Sequence, residues 1–250
     1  MVNYSGISID AGEIVNFLKQ EIRFKDICQE IIHRHIVERA AQERGVSVTP
    51  EEIQVEANRF RHVMRLEKAS DTLAWLAEQA IEADDWELGI YHKLLADKLA
   101  KSLFARDVDK HFAQNKLDFE KVNLYKITVP YEKLAQELVY QIEEEEVCFY
   151  EAAHIYNAEE EFRLKCGHLG KLDRWSLKSD VEVVVFAAEP KQVLGPFKAE
   201  QGYDLLMVEE FISAELNEET RDRIVKEMFK EWLAGELNHV LHGFANSYSS

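Results

Sequence analysis

Three cysteines, four prolines and ten glycines in 250 residues leave the chain little covalent reinforcement and little backbone punctuation. Cys28, Cys148 and Cys166 lie far apart and form no Cys-x-x-Cys pair, so neither a disulfide framework nor a zinc knuckle is signalled, and a reducing compartment is expected. The scarcity of Pro and Gly argues against long disordered linkers. No segment approaches the run of about eighteen apolar residues that crosses a bilayer. The opening MVNYSGISIDAGEIVNFLKQ carries acids and no basic stretch ahead of an apolar one, so no secretory leader is read there and a cytoplasmic location is expected. Positive charge is also short: 30 Lys and Arg face 47 Asp and Glu, a net charge of -17. Such a chain repels nucleic acid and anionic lipid, both polyanions, and neither is expected as a partner, nor is membrane insertion. No phosphate-binding glycine loop or Ser-His-Asp arrangement is present to support a kinase or a hydrolase.

What the chain does have is helix signal in its first half. Asp10 and Glu13 form a capping-box pattern, and isoleucines at 22, 27, 31, 32 and 36 recur near helical spacing until Gly45 offers a left-handed stop. Thr49-Pro50-Glu51-Glu52 is a cap, a proline where a missing amide costs nothing, and a Glu at the third helical position; the helix is expected to reach about Glu67. Asp84-Asp85-Trp86-Glu87 repeats the device ahead of an apolar stripe from Leu88 to Leu103, and a short helix follows over Val108 to Gln114.

After Phe119 the texture changes. Val122 to Val129 is β-branched and partly alternating, hence a strand, broken by Pro130. Helices are expected over Tyr131 to Glu146 and Phe149 to Asn157, a short strand over Leu169 to Leu172, and a hairpin from Leu194 to Phe211. Asn217 then caps a long helix with a broad apolar face running from Ile224 to Leu241. Helices followed by a strand-containing block predict an α+β chain: a helical domain over 1–119, completed by the helix at 216–250, and a second domain over 120–213 with a small, mostly antiparallel four-stranded sheet and surrounding helices.

The strand and two helices from Val122, the turn Gly167-His168-Leu169-Gly170, and the closing run Gly195-Pro196-Phe197 with Gly202-Tyr203 resemble the parvulin type of peptidyl-prolyl isomerase. The flanking helices resemble, in arrangement, the chaperone portion of SurA-like foldases. The resemblance implies that Val181 to Phe186 forms the family's short third helix despite its β-branched composition. It also implies a chemistry: rotation about the bond before proline, whose barrier of about 18–20 kcal/mol comes from amide resonance. Catalysis of that rotation can come only from favouring the twisted amide over both planar forms, with a dry proline pocket and a few placed polar groups.

In the family two adjacent histidines supply those groups, with a Cys or Asp beside them and a Met and a Phe gripping the proline ring. Transferred to this chain, the first histidine position is Lys126 and the second, after Gly-Tyr, is Asp204; the Cys or Asp position falls near Glu159. The Met position is Leu177 and the Phe position Val181, with Phe197 and Tyr203 completing the expected peptide-binding set. Lys126 and Asp204 are expected to lie side by side as an ion pair replacing the imidazoles, and the pocket to be shallower for the smaller Val181. The expectation is a foldase that binds unfolded or proline-containing polypeptide with weak or no isomerase activity, without cofactor; the alternative is a non-enzymatic adaptor using the fold as a docking surface. Glu30/His33, Glu151/His154 and Glu236/His239 each match a Glu-x-x-His ligand element, but chance supplies such matches in so acidic a chain, and no metal is expected.

Overall fold

The computed structural model describes residues 2–4 and 7–247. The chain divides into two compact units, Met1–Val108 with Arg221–Ser250, and Asp109–Thr220.

In the first unit, strands β1 (Val2–Tyr4) and β2 (Ile7–Ile9) pair antiparallel ahead of helix α1 (Ala11–Gln20). Asp10 caps α1 as a capping box: its Oδ1 accepts from the Gly12 and Glu13 amides, and Glu13 accepts from the Asp10 amide at 2.9 Å. The isoleucine-rich stretch is not one helix with α1. Ile22 adopts a left-handed φ of 58° and α2 (Phe24–Arg44) starts afresh, ending as expected at Gly45 with φ 68°. The Val46 amide donates to Ala41 and the Gly45 amide to Gln42, which closes the helix by the two-bond motif that a left-handed residue permits.

Helix α3 (Pro50–Val63) has the Thr49/Glu52 capping box but stops short of Glu67, because Arg65 turns left-handed at φ 57°. A further helix, α4 (Ala69–Glu78), is not among those expected from the sequence; its cap is formed by Asp71 accepting from the Lys68 amide. In α5 (Ala83–Phe104) the cap falls at Glu82, two residues earlier than Asp84, since Asp85 accepts from the Glu82 amide. Val37, Ala40 and Ala41 of α2 and Leu95 and Leu99 of α5 form the core, against which Phe229, Trp232 and Leu233 of α11 (Glu218–Ser247) pack. Asn217 caps α11 by accepting from the Thr220 amide at 2.9 Å.

The second unit runs α6 (Val108–Gln114), β3 (Lys121–Val129), α7 (Glu132–Glu143), α8 (Phe149–Tyr156), α9 (Glu160–Leu164), β4 (His168–Asp173), α10 (Ser179–Ala187), β5 (Val193–Ala199) and β6 (Gly202–Ile212). The sheet is antiparallel throughout, in the order β4-β3-β6-β5. The architecture is therefore α+β: one unit is mainly helical, and the other holds a four-stranded sheet with its helices. The stretch Val181 to Phe186 is helical within α10: Val185 is fully buried against the sheet, and this packing overrides the strand preference of a valine run. Helix α7 ends three residues before Glu146, where Glu145 turns left-handed at φ 59°.

Each sheet face has its own core. On one, Ile127, Val129, Leu205 and Met207 pack under Ala135 and Leu138 of α7 and Phe149, Ala152 and Ala153 of α8. On the other, Val122, Leu124, Leu194, Leu206 and Val208 meet Val185 of α10.

Candidate functional site

The register places the candidate residues. Residues directly opposite one another on neighbouring strands share a sheet face. One row across β5, β6 and β3 is Phe197, Asp204 and Thr128, and the next is Leu194, Leu206 and Lys126. Leu177, Val181 and Phe197 are half-buried against the cluster on this face. Lys126, Asp204, Leu177, Val181 and Phe197 therefore share the α10 side of the sheet. Tyr203 does not: it stands opposite Val129, packs with the other core, and lines a surface hollow with Pro130, Tyr131 and Leu134.

The expected Lys126–Asp204 ion pair is replaced by two separate interactions. Asp204 stands opposite Thr128, not Lys126, and accepts a 2.7 Å hydrogen bond from the Thr128 hydroxyl. Lys126 lies 3.7 Å from the Glu159 carboxylate and 5.0 Å over the centre of the Phe162 ring. The physical reason is the stagger of two rows: a carboxylate takes the hydroxyl directly across the ladder, and the longer lysine reaches outward to the loop after α8.

That loop is held by a residue that carries no site signal in the sequence. The pairing of β3 with β4 is last made around Tyr125, after which the Lys126 amide donates to Gly167. Asn157, only 1% exposed, continues the edge: its Nδ2 donates to the Lys126 carbonyl at 2.9 Å, and its Oδ1 accepts from the Thr128 amide at 3.3 Å. The Ala158 amide then donates to the Thr128 carbonyl at 2.8 Å. One side chain and one amide thus act as a strand surrogate that sets Glu159 beside Lys126. In sequence Asn157 reads only as a helix end; its partners lie 31 and 29 residues away.

Two glycines frame the same place. At Gly167, φ 85°, a Cβ would come 2.7 Å from the Lys126 carbonyl oxygen, and at Gly195, φ 115°, it would come 2.7 Å from the Asp204 carbonyl oxygen. Both positions combine a left-handed backbone with a contact too close for any side chain.

On the opposite face a polar group sits at the margin of the core. The Tyr150 hydroxyl donates to Glu209, and Lys191 reaches Glu209 at 2.8 Å and the Tyr150 hydroxyl at 3.3 Å. The Lys191 ammonium, then the Tyr150 hydroxyl, hold the Glu209 carboxyl below its ordinary range. Glu209 and Tyr150 in turn push Lys191 up to about 12, and burial followed by the Glu209 bond raises Tyr150. Tyr125 meets the Tyr150 ring edge-on at 5.0 Å and the His168 ring at a tilt at 4.9 Å, and His168 Nε2 is 2.8 Å from Asn123 Oδ1.

Of the Glu-x-x-His elements, His154 uses its Nδ1 against the Arg163 carbonyl at 3.0 Å. Among the described residues no three His, Cys, Asp or Glu side chains gather in a metal-holding group, and no helix is long and apolar enough to cross a membrane.

Residues 125–210 match the family model of the rotamase, PPIC-type PPIASE domain. No curated protein matches the chain by sequence. Among solved structures, the peptidylprolyl isomerase PrsA of Bacillus anthracis is 18% identical, covering 88% of this chain and 97% of its own, with a TM-score of 0.49. PrsA of Bacillus cereus is 17% identical over 99% of this chain and 91% of its own, TM-score 0.47. A structure from Campylobacter jejuni, from work describing the virulence factor PEB4 and the periplasmic protein Cj1289 as SurA-like chaperones, is 17% identical over 99% of this chain and 97% of its own, TM-score 0.37.

Proposed function

From the premise that residues 125–210 form a PPIC-type peptidyl-prolyl isomerase domain, we propose that the chain is a foldase-type chaperone whose domain holds proline-containing, unfolded polypeptide but accelerates the isomerisation weakly or not at all. One observation carries this reading: the two polar side chains at the histidine positions are engaged by the protein itself, Lys126 with Glu159 and Asp204 with Thr128. A twisted amide is favoured by groups aimed at its carbonyl and nitrogen, and side chains already committed to internal partners must first be released. The apolar part of the site is retained, since Leu177, Val181 and Phe197 present half-buried surface beside Leu194 and Leu206, enough to receive a proline ring.

The reading includes the cytoplasmic location expected from three scattered cysteines, all free thiols in this structure.

The test is a proline-peptide isomerisation assay on the full chain, with calorimetric binding of the same peptide. Binding is expected with a rate within about twofold of the uncatalysed one, and Leu177→Ala with Val181→Ala should weaken binding severalfold. A kcat/KM of about 10⁴ M⁻¹ s⁻¹ or more that falls on replacing Lys126 or Asp204 would overturn the proposed loss of activity. Absence of binding would overturn the polypeptide-holding role.

A further inference from the structure

Away from the sheet-containing unit, helices α3, α4 and α5 enclose a groove of about 570 Å³, within the size range of ligand sites. Ile53, Ala57, Leu73, Leu76 and Trp86 supply apolar wall. Trp86 is held there by ring contacts with Phe60 at 5.6 Å and Trp75 at 6.5 Å. Leu73 is 62% exposed, an apolar side chain left open at the groove.

One lining residue is of a different kind. Arg61 borders this groove and also a second cavity of about 580 Å³, whose lining includes His62 and Arg65. Arg61 therefore stands between an apolar hollow and a polar one that a second arginine also borders. The Arg61 Nε is buried and has no hydrogen-bond partner. A buried donor in that state stays unsatisfied until an acceptor arrives. Among the described residues Arg61, His62 and Arg65 form no ion pair, whereas Arg59 on the same helix is held by Glu56 at 2.8 Å. One acid borders each cavity, Glu87 the first and Glu67 the second.

The helix end does not use these side chains either. The α3 carbonyls of Phe60, Arg61 and His62 accept from the backbone amides of Met64, Leu66 and Arg65, so the terminus is closed by the main chain. In a chain of net charge -17, two arginines without carboxylate partners beside an apolar groove are a complementary surface for an anion joined to apolar groups.

We propose that this groove binds an internal segment of a second polypeptide in which apolar residues adjoin Asp or Glu, the apolar side chains lying against Leu73 and Trp86 and a carboxylate reaching Arg61. Space lies on both sides of Arg61, which favours a chain that runs past it over one that ends there. This site shares no residue with the domain at 125–210, so it stands or falls separately from the function proposed above.

The test is calorimetric titration of the full chain, at low ionic strength, with a peptide of leucines and a phenylalanine followed by two glutamates, blocked at both ends. Its companions are the glutamine twin and an apolar peptide ending in a free carboxyl group. The glutamate peptide should bind about tenfold tighter than its twin, the range of one charge-assisted hydrogen bond. In the double variant Arg61→Gln, Arg65→Gln, that preference should vanish while the twin binds unchanged, and Leu73→Ser should weaken both. Circular dichroism of each variant confirms helix content. Equal binding of the twins to the native chain, a preference that survives the double variant, a free-carboxyl peptide as tight as the glutamate one, or no binding at all would each overturn the proposal.

Discussion

The two faces of the four-stranded sheet differ in how completely they are covered. The face under α7 and α8 is closed: Ile127, Val129, Ala135, Leu138, Ala152 and Leu205 are essentially inaccessible. Its polar groups, Tyr150, Glu209 and Lys191, are tied to one another at the margin. The face under α10 is half open. Buried Leu124, Leu206 and Val208 grade into half-buried Leu177, Val181 and Phe197, and then into Lys126, Glu159 and Asp204. A single short helix of nine residues cannot cover a surface that two helices cover opposite. The contrast teaches where stability resides and where binding can: close packing on one side holds the strands that present an unfinished apolar surface on the other.

The sharpest way to break this comparison is to truncate both faces. Leu138→Ala on the closed side should destabilise the second unit by about 2–5 kcal/mol, the cost of losing buried methyls and leaving a cavity. Val181→Ala on the open side should cost under about 1 kcal/mol, because its side chain is already partly hydrated. Urea titrations of the two variants measure the difference. Equal losses would mean that the α10 face is packed as tightly as its opposite and is no cradle.

A smaller effect is expected at the junction between β3 and the loop carrying Glu159. Asn157→Ala leaves the Lys126 carbonyl and the Thr128 amide without their side-chain partner in a buried place, a loss of about 1–3 kcal/mol. Hydrogen exchange should report it locally, as faster exchange of the Thr128 and Ala158 amides with little change at Ile127. If exchange at Thr128 stays at the native rate, the loop is held by something other than Asn157.

Much of this arrangement was legible in the residue pattern, for reasons that can be named. The capping boxes at Asp10 and Thr49 and the left-handed stop at Gly45 are local, and all three formed. The helix over Val181 to Phe186 came from the family resemblance and not from propensity, since burial of Val185 outweighs the preference of a valine run. What local signals missed is of two kinds. The breaks at Ile22 and Arg65 place non-glycine residues at positive φ, a conformation those side chains rarely adopt, so no residue type announces them. The other kind is register. Lys126 and Asp204 do fall on one face, but the row that joins Asp204 to Thr128 belongs to a ladder whose register shifts at Asn123/Leu124, and the role of Asn157 depends on a strand 29 residues upstream. Spacing along the chain cannot reveal either.

The smallest expected effect concerns the polar margin of the closed face. Glu209 has its folded pKa lowered from the ordinary 4.5, first by Lys191 and then by Tyr150. A carboxyl with a depressed folded pKa binds its proton more readily in the unfolded chain. Its contribution is therefore fully present above about pH 4.5 and is lost as pH falls through the lower folded value. Native chain and Glu209→Gln should accordingly differ at pH 7, by under about 1 kcal/mol for a partly exposed cluster, and their melting temperatures should converge as the pH drops toward 3. At the alkaline end the sign reverses: Lys191, raised to about 12, stabilises below its unfolded pKa and ceases to as pH rises through the folded one. A difference that instead widened in acid would mean that Glu209 is held protonated, with Tyr150 as an acceptor, and the closed face would then carry an uncharged margin where the open face carries its ion pair.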